Sequence, residues 1–508
     1  MATYNRYLTM LLFMLAACPA NAIAQTRGGT IDVAVPGEPP TLDPMASSAT
    51  GVYTITQNYF ETLYSLNSKM EPVPLLAAAM PELSDNGKVY TIKLRDDVKF
   101  HDGQTMRAVD VVASLKRWLS VASRGKTVAP KVVSIEEVDS HTVRLTLTQA
   151  YSPLTTLLAF NGTPAVIMPA TDVAFPMTKF VGTGPYMLKE YKPDQYIQLV
   201  RFEGYSSPKA PADGCSGARA QYLDELRIRP VPDVSTRVEG ILAGQFQYAD
   251  QMPLESVGRL DSSTTKPVLY DYGTQALYLN AGAGPMANVK MRQAVLASLN
   301  MEDMLLAGFG DNKFFKLDGA LFQETSRWHT EAGVKGHYNQ ANIERTRKLL
   351  AEANYDGRPI RFMTSSQYDP MFKISQVAAE YMRAAGFKVD LQVLDWASLS
   401  QRRGDPKAWD IFSTFVQHLA HPALISALAS NFVTRWENKE NEDLLLRIYA
   451  EDDKAKQEAM FARVQELVMT EVPFIKIGDF TNLAGRSTKL QGVVPNANPC
   501  FWNAWLQK

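Results

Sequence analysis

"YTIKLRDDVKFHDGQTMRAVDVVASLKRW", residues 90–118, switches hydrophobic period midway, and that switch sets the class of fold. Tyr90, Ile92 and Leu94 alternate with polar residues, the period of a half-buried strand. Asp96-Asp97 reads as a turn, after which Val98 and Phe100 resume the alternation, so the pattern predicts a hairpin. Asp102-Gly103 then reverses the chain and leaves His101 in a structural turn. From Thr105, read as a helix cap, Val109, Val112, Leu115 and Leu119 share one helical face.

Working outward, "VVSIEEVDSHTVRLTLTQ" (132–149) repeats the hairpin plan with a turn near Asp139 to His141, and "PYMLKEYKPDQYIQLVRF" (185–202) repeats it around Lys192 to Asp194. Strand patterns dominate from residue 30 to about 205. After about residue 275 the texture becomes helical: "VKMRQAVLASLNMEDML" (289–305), "NIERTRKLLAEAN" (342–354) and "FKISQVAAEYMRAAG" (372–386), the last closing on Gly386 as a C-terminal cap. "FKVDLQV" (387–393) alternates as a strand leaving that helix, and helix followed by strand indicates an α/β lobe. A long helical stretch, about 442–470, precedes "VPFIKIGDF" (472–480). The tail carries Phe501, Trp502 and Trp505 and is expected to dock on the first lobe.

A chain of 508 residues with 46% apolar content can bury a large core, and its length argues for about two or three domains. A formal charge of −1 and no Lys/Arg run longer than a pair such as Arg402-Arg403 leave no electrostatic footprint for nucleic acid or an anionic membrane. Residues 1–24 read as a secretory signal peptide, with an apolar core from Tyr7 to Ala17 and small residues at Ala22 and Ala24. That core is too short to span a bilayer. The mature chain is therefore expected to be exported, without stable membrane insertion; "LAAC", Leu15 to Cys18, is a competing lipoprotein signal that would anchor the chain at Cys18. Cys215 and Cys500 then remain, and two cysteines in an oxidising compartment either pair or stay as buried thiols.

Most chemical motifs fail. Gly125-Lys126-Thr127 ends like a phosphate-binding loop, but Ser120 stands where its first Gly belongs. G-x-S-x-G, H-E-x-x-H and the EF-hand loop are absent, so a secreted hydrolase survives only as the alternative class, and the expectation is a protein that is not an enzyme and holds no cofactor. In "STFVQHLAHPAL" (413–424), His418 and His421 stand three apart, yet zinc wants three or four ligands and Pro422 argues for a loop. No metal ligand is assigned.

Taken together, "PPTLDP" (39–44), residues 90–118, "GTGPYMLKEY" (182–191), 289–305, "LLAEANYDG" (349–357) and "AAGFKVDLQ" (384–392) resemble the peptide and nickel class of bacterial extracytoplasmic solute-binding proteins, family 5, the receptors of ABC importers. The resemblance implies an α/β, two-lobed periplasmic-binding-protein fold (type II, cluster C-like) with an extra subdomain inserted in lobe I. Lobe I would take 25–272, with the insertion at about 53–181, and the return 478–508; lobe II would take 273–477. Both cysteines then fall in lobe I, which keeps their pairing open. The implied function is capture of peptides or peptide-like solutes between the lobes by a monomer that hands them to permease subunits. Only a ligand that touches both lobes can shift such a hinge.

The same resemblance names candidate ligand contacts: Ser48, Thr50 and Tyr53 from lobe I, and Tyr368, Trp396, Phe415, Gln417 and His418 from lobe II. Peptide-binding relatives carry, where "FVQH" stands, a Trp followed three residues later by an Asp that holds the peptide amine; here those positions are Phe415 and His418, and a neutral imidazole offers one acceptor. Dipeptide binders place an Arg at the position of Ser366, two before the surviving aromatic Tyr368, to grip the ligand carboxylate. Nickel binders carry a His where Ala423 follows Pro422. Missing end-clamps keep opines, glycosides and other modified solutes as an alternative to peptides, with metal chelates and haem behind them. Asp395 and Arg402 are the nearest charges for end recognition, and solvated surface roles are favoured for both.

Overall fold

The structure is a computed structural model that describes residues 25–507, so the signal-peptide and Cys18 expectations fall outside the described residues. Its centre is an eleven-stranded mixed sheet. Two strands dominate it, Thr265–Leu279 and Phe474–Ser487, of 15 and 14 residues, paired antiparallel from Thr265 opposite Ser487 to Tyr278 opposite Phe474.

Each long strand carries a different wing. Phe474–Ser487 pairs with Tyr248–Met252, beyond which lie Thr30–Val35, Glu225–Pro230, Tyr196–Arg201 and Tyr186–Lys192. Thr265–Leu279 pairs through its second half with Ile411–Gln417, beyond which lie Ile360–Ser365 and Val389–Leu394. The two wings therefore share only the long pair. Between the wings the pair shifts register twice, at Asp271/Gly273 and at Gln275/Ala276. Such bulges bend a strand and raise its twist, so the backbone is shaped to turn where one wing gives way to the other.

In the second wing, Ile360–Ser365 and Val389–Leu394 run parallel, joined by the helix Asp369–Ala385 that ends on Gly386 in the left-handed region (φ 114°). That βαβ unit fits the predicted helix and strand, and only glycine takes such a φ without strain. The long helical stretch is two helices, Lys439–Ala450 and Lys454–Glu471, because Asp453 breaks off to accept the amides of Ala455 and Lys456 as the second helix's cap.

A separate four-stranded antiparallel sheet holds Glu82–Ser84, Val89–Lys93, Thr142–Leu147 and Val132–Asp139 in that order. The hairpins at 132–149 and 185–202 form as expected. The one predicted at 90–100 does not. Val89–Lys93 pairs instead with Glu82–Ser84 and Thr142–Leu147, while Val98 and Phe100 close a tight loop on Met106 and Gln104 around Gly103. The helix starts at Ala108 rather than at a Thr105 cap, with the Asp110 carboxylate accepting the Arg107 amide at 2.8 Å. Its buried face is also turned by about one residue from the predicted one: Val111, Leu115 and Trp118 are buried while Val109 is exposed. His101 sits in its turn as expected, held between the backbone of Gly182 and Gly184.

Cys215 and Cys500 form a disulfide, which settles the open alternative and ties the tail to residues 285 positions earlier. Phe501 and Trp502 beyond it are buried. The Arg219 guanidinium lies 4.1 Å above the Trp502 ring and pairs with buried Glu61 at 2.7 Å. Tail and first wing thus form one packed body. Among the described residues, no helix is long and apolar enough to cross a membrane.

Candidate functional site

Thr50 opens the short helix Thr50–Thr56, and Gln417 ends the strand Ile411–Gln417. They are 367 residues apart, and Gln417 Nε2 donates to Thr50 Oγ1 at 3.2 Å. Tyr272 lies on the long strand between them. Burial pushes its phenol up, and the Gln417 and Thr50 side chains beside it partly offset the shift. Gly273 makes the approach feasible, because a Cβ there would lie 2.0 Å from the Val416 carbonyl oxygen.

An aromatic surface continues from this polar contact. Phe415, two residues before Gln417, meets Tyr368 at 5.0 Å, Tyr272 at 6.0 Å, and Trp396 and Phe480 at 6.4 Å each, centroid to centroid. Tyr368 stands edge-on to Trp396 at 5.3 Å. Tyr368 is placed by the turn after Ile360–Ser365, as the residue capping Asp369–Ala385, and Trp396 by the helix Trp396–Arg402, which Asp395 caps. Five stretches of chain distant in sequence thus converge on one partly exposed ring cluster. The cluster contains no charged side chain; rings of this kind contact apolar and planar groups through area and quadrupole rather than charge.

His418 belongs to a neighbouring, different environment. Its amide bonds the Tyr272 carbonyl at 3.3 Å, and its side chain lines a small pocket with Asp271, Lys316, Asp479 and Phe480. Burial, reinforced by the Lys476 ammonium, pushes the imidazole down to about 4, so it is neutral at pH 7. Lys476 is itself buried, 2.9 Å from Asp479 and 3.5 Å from Asp318. Burial raises Asp479 to about 6 despite this partner.

The sequence-named residues separate accordingly. Thr50, Gln417, Phe415, Tyr368 and Trp396 come together, with His418 at the margin. Ser48 is exposed nearby in sequence. Tyr53 turns away: it is buried, its hydroxyl donates to the Ser47 carbonyl at 2.6 Å and accepts from the Thr163 amide at 2.9 Å. Those bonds use Tyr53 in the fold of the first wing. Tyr272 and Phe480 were missed; the alternation Tyr270, Tyr272 in "YDYGTQALYLN" was the available signal. His421 is a core residue, its Nδ1 accepting the Ala423 amide at 3.1 Å and its ring 4.9 Å from Trp328. Asp318, His329 and Glu331 are the one metal-like cluster among the described residues, but the Lys476 ammonium already supplies positive charge to Asp318.

A fold of two wings sharing a bent strand pair, with a contact surface where they meet, defines the class of two-lobed solute-binding proteins. Solved structures with that fold include DppA of Helicobacter pylori in complex with the peptide STSA, at TM-score 0.80 and 22% identity over 95% of this chain and 99% of that one. AgaA of A. tumefaciens R10, in complex with agropinic acid, matches at TM-score 0.80 and 22% identity over 94% and 99%. Residues 71–422 match the family described as bacterial extracellular solute-binding proteins, family 5 Middle, and the chain belongs to that family. It is 28% identical over 91% of its length, and 90% of the relative's, to a probable peptide ABC transporter periplasmic-binding protein, y4tO, of Sinorhizobium fredii. Over 94% of each chain it is 24% identical to the glutathione-binding protein GsiB of Escherichia coli K12.

Proposed function

We propose that this chain is the periplasmic receptor of an ABC importer, taking a peptide or peptide-like solute between two lobes and delivering it unaltered to a permease. Lobe I is residues 25–272 with 478–508, carrying an insertion at about 53–181, and lobe II is residues 273–477. The observation that carries the reading is the Gln417–Thr50 contact beside the Phe415 ring cluster, which joins the two wings at the bulged strand pair. Relatives named for peptide and glutathione binding support the substrate class.

The cleft surface favours recognition through backbone hydrogen bonds and apolar area. Ser366 and His418 offer no carboxylate grip and no amine grip. The same feature supports a second reading, an opine or other modified solute lacking free termini, and AgaA is a structural neighbour bound to such a molecule. The mature chain starts at Gln25 after signal-peptide removal.

A thermal-shift screen with peptides, glutathione, opines, sugars and metal chelates tests this directly, since a solute that binds only the native state raises the melting temperature by mass action. One of the first three classes is expected to raise it by several degrees. Turnover of a peptide, ester or glycoside substrate, or a response to chelates alone, contradicts the reading.

A further inference from the structure

The body that carries the four-stranded sheet meets the second wing at a seam separate from the Thr50–Gln417 contact. The Ser152 amide donates to the Tyr449 carbonyl at 2.7 Å, and the Tyr151 ring packs edge-on against Tyr449 at 5.4 Å and 81°. Gln457 Nε2 lies 3.4 Å from Ser152 Oγ, and at the rim Lys454 Nζ lies 3.6 Å from Glu71.

Each side of this seam is anchored in its own body. The Tyr151 carbonyl accepts the Tyr90 hydroxyl at 2.9 Å, which fixes the 151–152 turn to the four-stranded sheet. Tyr449 lies at the end of the helix Lys439–Ala450, backed by the His421 ring at 6.0 Å and, behind it, Trp328. These residues pack with the second wing's core around Phe461 and Trp436. The seam shares no residue with the Thr50, Gln417 and Phe415 cluster.

We infer that the Tyr151-Ser152 turn and Tyr449 form a closure latch, a contact made only when the lobes are shut, which sets the closed population without touching the solute. The inference rests on the hinged-clamp reading above. A backbone hydrogen bond and an aromatic pair favour whichever state contains them, and a binding-competent state populated to a fraction f lowers apparent affinity by that fraction. The latch therefore tunes affinity for every solute alike, whereas the cleft residues discriminate among solutes.

The test is solute-free FRET between dyes on V133C and L446C, two exposed positions on opposite sides of the seam. In this background, Tyr449→Ala is expected to lower the closed-to-open ratio about five- to tenfold. Lys454→Glu, at an exposed position that leaves the fold intact, should lower it by a smaller factor, and adding Glu71→Lys should restore it. Gln417→Ala is the control for the hinge itself. If Gln417→Ala opens the protein while Tyr449→Ala and Lys454→Glu leave the transfer efficiency at the parent value, the latch is overturned and the clamp stands. If no variant and no solute changes the efficiency, both fall together.

Discussion

Phe415 touches rings from four separate stretches of chain, and its position just before Gln417 puts it beside the only side-chain hydrogen bond described between Thr50 and the second wing. Truncating it removes an apolar anchor, so Phe415→Ala should weaken solute binding by about 2 kcal/mol, roughly thirtyfold, in a calorimetric titration with the solute found by screening. A second residue-scale expectation concerns His421, which burial pushes down to about 3, with the Arg327 charge adding to the effect. Its folded value lies below the unfolded one, so the unfolded chain takes up the proton first, and stability is lost as pH falls below about 6.5. The slope is about 1.4 kcal/mol per pH unit for this group. Asp250, raised to about 6 by burial although the hydrogen bond from the Tyr270 hydroxyl opposes the shift, acts the other way, gaining stability as pH falls through that value. Denaturant melts of His421→Gln against the parent isolate the histidine: the variant's loss between pH 6.5 and 5 should be smaller by about 1–2 kcal/mol. At this scale the sequence disclosed the ring positions Tyr368, Trp396 and Phe415 through family resemblance. It could not separate His418 from them, since the pocket that His418 lines is completed by Lys316, Asp479 and Phe480, which are remote in sequence.

Between elements, the decisive feature is the pair Thr265–Leu279 and Phe474–Ser487. Its second half must admit Ile411–Gln417 at close range, and Gly273 has no side chain to obstruct the Val416 carbonyl. Gly273→Ala should push the strands apart, costing about 1–3 kcal/mol of folding stability and abolishing the Thr50–Gln417 contact. Chemical denaturation measures the first effect; loss of solute-induced thermal shift at a temperature where the variant is folded measures the second. Periodicity found the helix Asp369–Ala385, the strand Val389–Leu394 and two hairpins because each is set by neighbours in sequence. It failed where the partner is remote. Val89–Lys93 alternates correctly but pairs with residues 142–147, and the face of Ala108–Val121 is set by Trp118, whose indole N–H donates to the Thr163 carbonyl at 2.8 Å.

For the molecule as a whole, the return of the chain to the first wing closes the architecture. The Cys215–Cys500 disulfide holds that return, beside the stacked Arg219 and Trp502. Replacing both cysteines by serine should cost about 2–5 kcal/mol, seen as a lower melting temperature, while the affinity of the folded protein stays within about twofold because neither cysteine belongs to the Thr50, Gln417 and Phe415 cluster. Docking of the aromatic tail was legible from Phe501, Trp502 and Trp505 alone; the pairing was not, since two cysteines far apart in sequence carry no distance information. The central claim is that two lobes close over a solute and release it chemically intact. Small-angle scattering during titration with the solute identified by screening, followed by mass analysis of the released solute, tests it most directly. The account predicts a saturable fall in radius of gyration and recovery of the solute at its original mass; an unchanged radius at saturation, or a solute of altered mass, would contradict it.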